Sequence, residues 1–561
     1  MMEIAFLLLV LLLNPPPMVA QTASTIPAPS TSTAIPTTTA EPLDASAGGK
    51  LGNPGAQLRF STKALDAIYK HAMAMIAQAI RAMVIPDVIV PLGGGMLTIK
   101  GTRVTEAKIQ SFERQMQAPY KIRSRLTGGR LVSIGEWQYR PFNNGHRQLT
   151  SGIFRTLVVN AEMNVTNQLA RTWDAKPTIS TSECKAYLGQ FRVEIEGFSN
   201  STTVIEQCDN LLCKRIRSYF EDAVCNTARA YIKDTINLKL STAPTRINLG
   251  PSSSGNRFVL DYGLLLNEPK VTEKYIQGFL EGKVLSRGSA VAPFYANDLA
   301  ELDDLAEPTI SFLLSDHVLN TLLYHVHAQQ YRFSAIDHLP ATSPIKNLLK
   351  LDCPAAQAAA RARPAYGPAR QSSPLCLGSV FDNMSSSGDS SDKDRMGDLV
   401  FKSQRPLQVI VRSSPSKSNF GVDGGMIEVY GAIGSDGKRE LLGRADIQSM
   451  RGDFVPKTCA CNITGTVNIT DIRLTQSSPP PVQSRLFKLS EPTLAKLAQL
   501  SIPIFNEMFN VFFAQYAQFP IPLVDGYTCE KPTLRWMERT MQIDSDVRVL
   551  PDATKSGART Q

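Results

Sequence analysis

The 561 residues are 43% hydrophobic and 19% charged, enough apolar material for a sizeable core and too much for a globally disordered chain. Length suggests about two to four domains, and no late segment approaches the roughly 20 apolar residues of a membrane helix, which excludes a polytopic membrane protein. The formal net charge is +9, and the excess is local: residues 51–150 hold 14 basic and 5 acidic side chains, a balance that points to an anionic partner.

Residues 4–13 read as the apolar core of a secretory signal, broken by Pro15, Pro16 and Pro17 and followed by the small-residue site Met18-Val19-Ala20. Residues 1–20 are therefore expected to be a signal peptide. Residues 21–52 are rich in Thr, Ser and Pro and predict a disordered tail, because they offer too little apolar surface to offset ordering. The first periodic segment covers residues 61–85. Leu65, Ile68, Ala72, Met75, Ile76 and Ile80 recur at three- and four-residue steps, a helix with one broad apolar stripe. Ser61 or Thr62 can cap its start and Pro86 ends it.

From residue 96 to residue 195 the pattern changes to short alternating runs. Lys121, Arg123 and Arg125 alternate with apolar or small residues, as on the solvated face of a half-buried strand. Asn143-Asn144-Gly145 is a turn signal. A second long helix is predicted over residues 210–236, with Leu212, Ile216, Tyr219, Phe220, Ala223 and Tyr231 on one face. The same order of elements then recurs without a residue-level repeat. A helix is predicted at 313–330, strands near 407–411, 425–433 and 467–474, a helix at 494–518 interrupted near Pro503, and a last strand at 541–549.

These patterns divide the chain into a half at 53–270, a connecting sheet and linker at 271–308, a second half at 309–548 with a disordered insertion at 355–393, and a polar tail at 549–561.

The chemistry-bearing motifs of common enzymes are missing. There is no G-x-S-x-G elbow, no H-E-x-x-H and no G-x-x-x-x-G-K-[ST], so no catalysis and no cofactor are expected. Gly93-Gly94-Gly95 leads into a strand and reads as a tight turn. His325 and His327 stand two apart, which aims them at different faces of a helix, and no metal site is expected. Arg451-Gly452-Asp453 reads as a plain polar turn. No nucleic-acid motif accompanies the basic stretch, so no nucleic-acid partner is expected. Nine cysteines behind a signal peptide should mostly pair, with at least one left free or intermolecular. Sequons at Asn164, Asn200, Asn383, Asn462 and Asn468 fit a surface-glycosylated secreted protein.

Asn53-Pro54-Gly55, the helix starting near Ser61 and its exit at Ile85-Pro86-Asp87 resemble the start of the bactericidal/permeability-increasing and lipopolysaccharide-binding protein family. Lys176-Pro177-Thr178-Ile179 followed by Cys184, with Cys225 inside the second helix, is similar to the family's shared disulfide. Trp137 falls where the family has a strand leading to its lipopolysaccharide-facing loop, and Phe519-Pro520-Ile521-Pro522 precedes the last strand as it does there.

The resemblance implies an α+β fold, an elongated boomerang of two barrels. Each would be a long helix packed on a strongly curved antiparallel sheet, with a central sheet joining the two and apolar pockets that take phospholipid acyl chains. It implies that Cys184 and Cys225 are bonded and that Leu65, Ile68, Ala72, Met75, Ile76 and Ile80 line a lipid pocket. A stripe of Met and Ala leaves slack beside a sheet, and slack of that kind can take an acyl chain.

The chain departs from the endotoxin binders at the tip. Residues 138–148 carry only Arg140, Arg147 and His146 in place of a lysine-rich loop, and Pro91-Leu92-Gly93-Gly94-Gly95 has no charge. Lys121, Arg123, Arg125, Arg140 and Arg147 are the candidate contacts for an anionic head group. Three functions follow: a secreted, non-enzymatic protein that binds or transfers phospholipid-like amphiphiles, a defence protein that binds bacterial envelope lipid or a membrane surface, and a structural protein of a secreted matrix.

Overall fold

The structure, a computed structural model, describes residues 49–64, 66, 80–81, 85–92, 94–142, 150–198, 201–205, 211–242, 245–251, 257–265, 269–302, 309–351, 375–380, 395–414, 418–433, 439–459, 461–477, 489–523 and 527–549. The architecture is α+β. Two large, curled antiparallel sheets, each with a long helix against it, are joined through a smaller central sheet.

Strand β1 (Ala56–Ser61) belongs to the central sheet and runs into the first predicted helix. That segment is helical at its described ends, residues 62–64 and 80–81, and Ser61 Oγ accepts a hydrogen bond from Ala64 N at 3.3 Å, the expected N-terminal cap. The N-terminal sheet follows. Strands β2 (Val88–Leu92), β3 (Gly95–Lys108), β4 (Ser111–Gln117), β5 (Lys121–Pro141), β6 (Thr150–Arg171), β7 (Pro177–Phe198) and β8 (Ser201–Ile205) pair in the order β2-β3-β5-β6-β7-β8, with β4 on the free part of β5.

The short runs expected over 96–195 are in fact long strands, with β6 and β7 each 22 residues. Bulges account for the difference. Register shifts at Leu126/Gly129 and Gly129/Arg130, with Gly128 at φ 67°, and Asn160 at φ 59° in β6, reverse the apolar phase mid-strand, so one strand reads as two.

Helix α1 (Leu211–Tyr231) buries Cys213, Ile216, Phe220 and Cys225 against this sheet, while Tyr219 on its predicted inner face is 49% exposed. The helix expected to run to 236 passes into a wider turn at Ile232–Ile236 and a short helix at Asn237–Thr242.

The central sheet draws on both ends of the chain. Its order is Lys270–Val271, Tyr275–Leu280, β1, Ile310–Ser315, Thr540–Val549 and Tyr527–Met537. Ile310–Ser315 is buried at every position, so it shows no alternation and was expected to begin the next helix. Helix α2 (Asp316–Ala328) instead starts one residue beyond it, capped by Ser315, whose Oγ accepts from His317 N at 3.2 Å. Asp316 ties this corner to the last hairpin, accepting from Arg539 Nε at 2.6 Å and Val411 N at 3.2 Å.

In the C-terminal sheet the long hairpin Arg439–Cys459 and Asn462–Gln476 lies against helix α3 (Glu491–Tyr516). The helix continues through Pro503 rather than stopping there. Leu497, Leu500, Ile504, Phe505 and Met508 are buried on both sides of the proline, and that burial offsets its missing backbone hydrogen bond. Arg451-Gly452-Asp453 is not a turn. It lies inside Arg439–Cys459, paired on both sides, and a Cβ at Gly452 would meet Asn468 O at 2.4 Å. Among the described residues no helix is long and apolar enough to cross a membrane.

Candidate functional site

The inner face of the N-terminal sheet carries two kinds of surface. At its far end Leu97, Ile99, Trp137, Phe154, Val158 and Phe191 form an apolar cluster closed by Ile216 and Phe220 of α1. Phe220 meets Phe154 and Phe191 with ring centroids 6.5 and 5.8 Å apart. Trp137 is fully buried and donates its indole N–H to Glu196 O at 2.8 Å. Gly152 makes that approach possible, because a Cβ there would sit 1.9 Å from Glu196 O and 2.7 Å from the indole nitrogen.

Further along β5 the buried positions are Gly135, Ser133, Gly129, Leu126, Ser124 and Ile122, four of them small. Ser133 and Thr156 satisfy each other through their hydroxyls. On β4, Arg114 stands opposite Ser124, and its largely buried side chain bonds Thr62 O at 3.3 Å and Asp66 Oδ1 at 3.0 Å at the start of the first helical segment, while apolar clusters flank the stretch. The C-terminal interior differs. There Phe401, Phe420, Phe505, Phe509 and Phe513 pack ring on ring, with neighbouring centroids 5.4 to 6.3 Å apart.

Of the predicted pocket residues, Ile80 is half-buried and packs against the far cluster, on the inner side of the sheet. Leu65, Ile68, Ala72, Met75 and Ile76 lie outside the described residues. The disulfide Cys184–Cys225 is present, with a Cα–Cα distance of 5.7 Å, and ties α1 to β7. A second bond, Cys461–Cys529, joins the C-terminal hairpin to the central sheet. Cys213 and Cys376 are also in disulfides, and Cys459 is free and exposed.

The head-group candidates do not form one patch. Lys121, Arg123 and Arg125 open β5 and Arg140 stands near its other end, fifteen residues beyond Arg125. Arg147 lies outside the described residues. The first three sit among carboxylates. Arg125 grips Glu162 with Nε and Nη2 at 2.8 and 3.1 Å, and Glu113 is 4.0 Å from it. Hydrogen bonds from Arg125 and Asn164 hold the Glu162 carboxyl below its ordinary pKa. Those from Lys185 do the same for Glu183, with the charges of Arg123 and Lys121 adding to the effect. These acids lie on neighbouring strands, so only the register reveals them.

Phe142 is 60% exposed and its backbone N–H donates to Gly94 O at 2.7 Å, so the two strands meet at the tip through a backbone hydrogen bond beside an exposed apolar side chain. Of the sequons, Asn468 is exposed on a strand, Asn462 is half-buried, and Asn164 is half-buried with its amide donating to Glu162. Asn200 and Asn383 lie outside the described residues. His325 bonds Val284 O and Ser289 and His327 bonds Ser403, which uses both as structural links. Among the described residues no three His, Cys, Asp or Glu side chains gather as a metal site would require.

The geometry defines a class: a two-sheet α+β protein in which each curled sheet packs against a helix, with several small buried residues on one inner face. No family model matches the chain. It is 22% identical to bactericidal permeability-increasing protein of Rattus norvegicus over 241 residues, 42% of this chain and 48% of that protein. It is also 22% identical to lipopolysaccharide-binding protein of Oryctolagus cuniculus over 321 residues, 55% of this chain and 63% of that protein. The chain thus matches about half to under two thirds of the length of these relatives. A crystal structure of lipopolysaccharide binding protein aligns with 89% of this chain and 100% of its own at 16% identity and a TM-score of 0.49. The two curated matches support a resemblance to the bactericidal permeability-increasing and lipopolysaccharide-binding protein family, at low identity.

Proposed function

We propose that the protein is a secreted, non-enzymatic glycoprotein that holds a phospholipid-like amphiphile between the first helical segment and the N-terminal sheet. The observation that supports this is the small residues Ser124, Gly129, Ser133 and Gly135 among the buried positions of β5, with Leu126 the larger side chain between them. Small side chains there, together with a first helix that the sequence predicts to be rich in Met and Ala, would leave room that larger residues would close. Each methylene buried in such a space contributes about 0.8 kcal/mol. The C-terminal interior, filled by phenylalanine rings, offers less room, so the reading places the main pocket within residues 53–270, with residues 309–548 as the second half.

The relatives' names support lipid or lipopolysaccharide as the ligand class. Between these, the tip favours a neutral or zwitterionic lipid, because its described residues present Phe142 and a single cation, Arg140, while Arg123 and Arg125 face carboxylates. The experiment is transfer of a fluorescent phosphatidylcholine from donor vesicles to the protein, with lipopolysaccharide as competitor. The reading expects saturable uptake that lipopolysaccharide displaces poorly. Strong displacement with little phosphatidylcholine uptake would favour the defence reading instead.

A further inference from the structure

Three cysteines meet where the long C-terminal hairpin touches the central sheet. Cys459 ends the strand Arg439–Cys459, Cys461 stands in the turn just before Asn462–Gln476, and Cys529 lies on Tyr527–Met537 of the central sheet. Cys461 and Cys529 are bonded and half-buried, with Cα atoms 5.3 Å apart. Cys459 is exposed and is the free thiol among the described residues. One tie needs two cysteines. A third, exposed and two residues away, is a liability in an exported chain, where free thiols are oxidised, and serine would carry none of that cost.

The three sulfurs are not equivalent. The Cys529 backbone N–H donates to Cys461 Sγ, and the Thr528 hydroxyl stands 3.7 Å from the same sulfur. Donors directed at a sulfur stabilise it as a thiolate, which makes Cys461 the sulfur that leaves when the bond is attacked. Its backbone is held independently of the disulfide, because Cys461 O accepts from Ile521 N at 2.8 Å. Cys529 is held by its strand, where it pairs with Val547. The attacking thiol is close at hand. Two residues of chain span at most about 7 Å, and the strand that ends in Cys459 itself runs beside Tyr527–Met537.

We propose that Cys459, Cys461 and Cys529 form an internal thiol–disulfide exchange site, in which the hairpin is tied to the central sheet by either of two cysteines. The Cys459 thiol loses its proton to water and the thiolate attacks Cys529 Sγ. A Cys459–Cys529 bond forms as the Cys461–Cys529 bond breaks, and the Cys461 thiolate leaves and takes up a proton. One disulfide and one thiol stand on each side of the step, so no oxidant or reductant is consumed. Capping Cys459 removes the nucleophile and locks the original tie. The site is independent of the lipid-binding reading.

Peptide mapping of the folded full-length protein tests this. Protein is held at pH 8 for hours, acidified to stop exchange, labelled with N-ethylmaleimide, deglycosylated and digested with trypsin. Cys459 and Cys461 share one tryptic peptide, residues 458–473, in which fragmentation locates the label. Wild type should carry label mainly on Cys459 and on Cys461 in roughly one molecule in ten to a hundred, as for a populated minor state. Urea below the unfolding transition should raise the Cys461 share, and dialysis at pH 8 should restore it. The variant Cys461→Ser should show a Cys459–Cys529 bond, and Cys459→Ser should keep Cys461–Cys529 with neither labelled. Label confined to Cys459 in wild type, or free thiols at both Cys459 and Cys529 in Cys461→Ser, would overturn the proposal. So would a labelling ratio that stays fixed through the urea cycle, because pairing would then be set once at folding, or label on Cys461 in Cys459→Ser, because the bond would then open without its nucleophile.

Discussion

Glu428 shows how much depends on what a single side chain faces. It is 2% exposed, and its carboxylate receives Lys402 Nζ at 2.7 Å, Arg444 Nη2 at 2.7 Å and the Tyr430 hydroxyl at 2.8 Å. Burial alone would raise its pKa, but the bonds from Lys402, Arg444 and Tyr430 hold it down at about 2. A carboxylate with a depressed folded pKa stabilises the fold above its ordinary value of 4.5, and that contribution is lost as pH falls toward 2. Glu428→Gln should therefore cost about 2 kcal/mol near neutral pH, since it leaves two cations without their counter-charge. The gap to wild type should narrow steadily below about pH 4.5. Thermal unfolding of both proteins across that range checks this; a gap that stays constant with pH would contradict it. Nothing in the local sequence marks Glu428, because its cations arrive from strands on either side. The same limit hid the partners of Arg125, while the alternation that made Arg123 and Arg125 outward-facing was plain.

Among the elements, both halves use one device to close a sheet against a helix. Asn506 and Asn510 of α3 each bond a backbone N–H and C=O, Asn506 at Ile469 and Asn510 at Val467. Asn237, in the helix after α1, does the same at Ile179, at 2.9 Å for each bond. These side chains satisfy strand edges that would otherwise stand open. The recurring order of elements was legible, but this shared device was not, because the asparagines fall at unrelated places in the two halves.

The disulfide Cys184–Cys225 fastens the same region, and its loop spans 41 residues. Replacing both cysteines by alanine should cost up to about 4 kcal/mol in the chain-entropy account. It should also expose α1 to proteolysis. Unchanged cleavage within residues 211–231 would show that packing alone holds the helix. On the first helical segment, Ala72→Phe should lower bound lipid with only a modest loss of stability if the stripe lines a pocket. A filled core would instead lose about 1–3 kcal/mol with no change in lipid. Lipid extraction and thermal unfolding of the variant, measured together, separate these outcomes.

The whole molecule is organised by contacts far apart in the chain. Leu58 stands between Gly278 and Phe312, and Phe312 in turn faces Ile543, so the central sheet brings together residues up to about five hundred positions apart. Periodicity found most helices and the positions of many strands, because those patterns are local. It could not assign β1 and Thr540–Val549 to one sheet, nor could it join the halves of β5 and β6 across their bulges. Pro503 misled for a related reason, since the apolar burial that carries α3 through it comes from another sheet.

The central claim is that lipid is held beside the small buried residues of β5, and native mass spectrometry of the intact protein, purified without detergent from a eukaryotic host, tests it most directly. The account predicts a population heavier than the glycosylated chain by the mass of one or more phospholipids, which collisional activation releases and extraction identifies. Folded protein with all its disulfides formed and no bound lipid would contradict it.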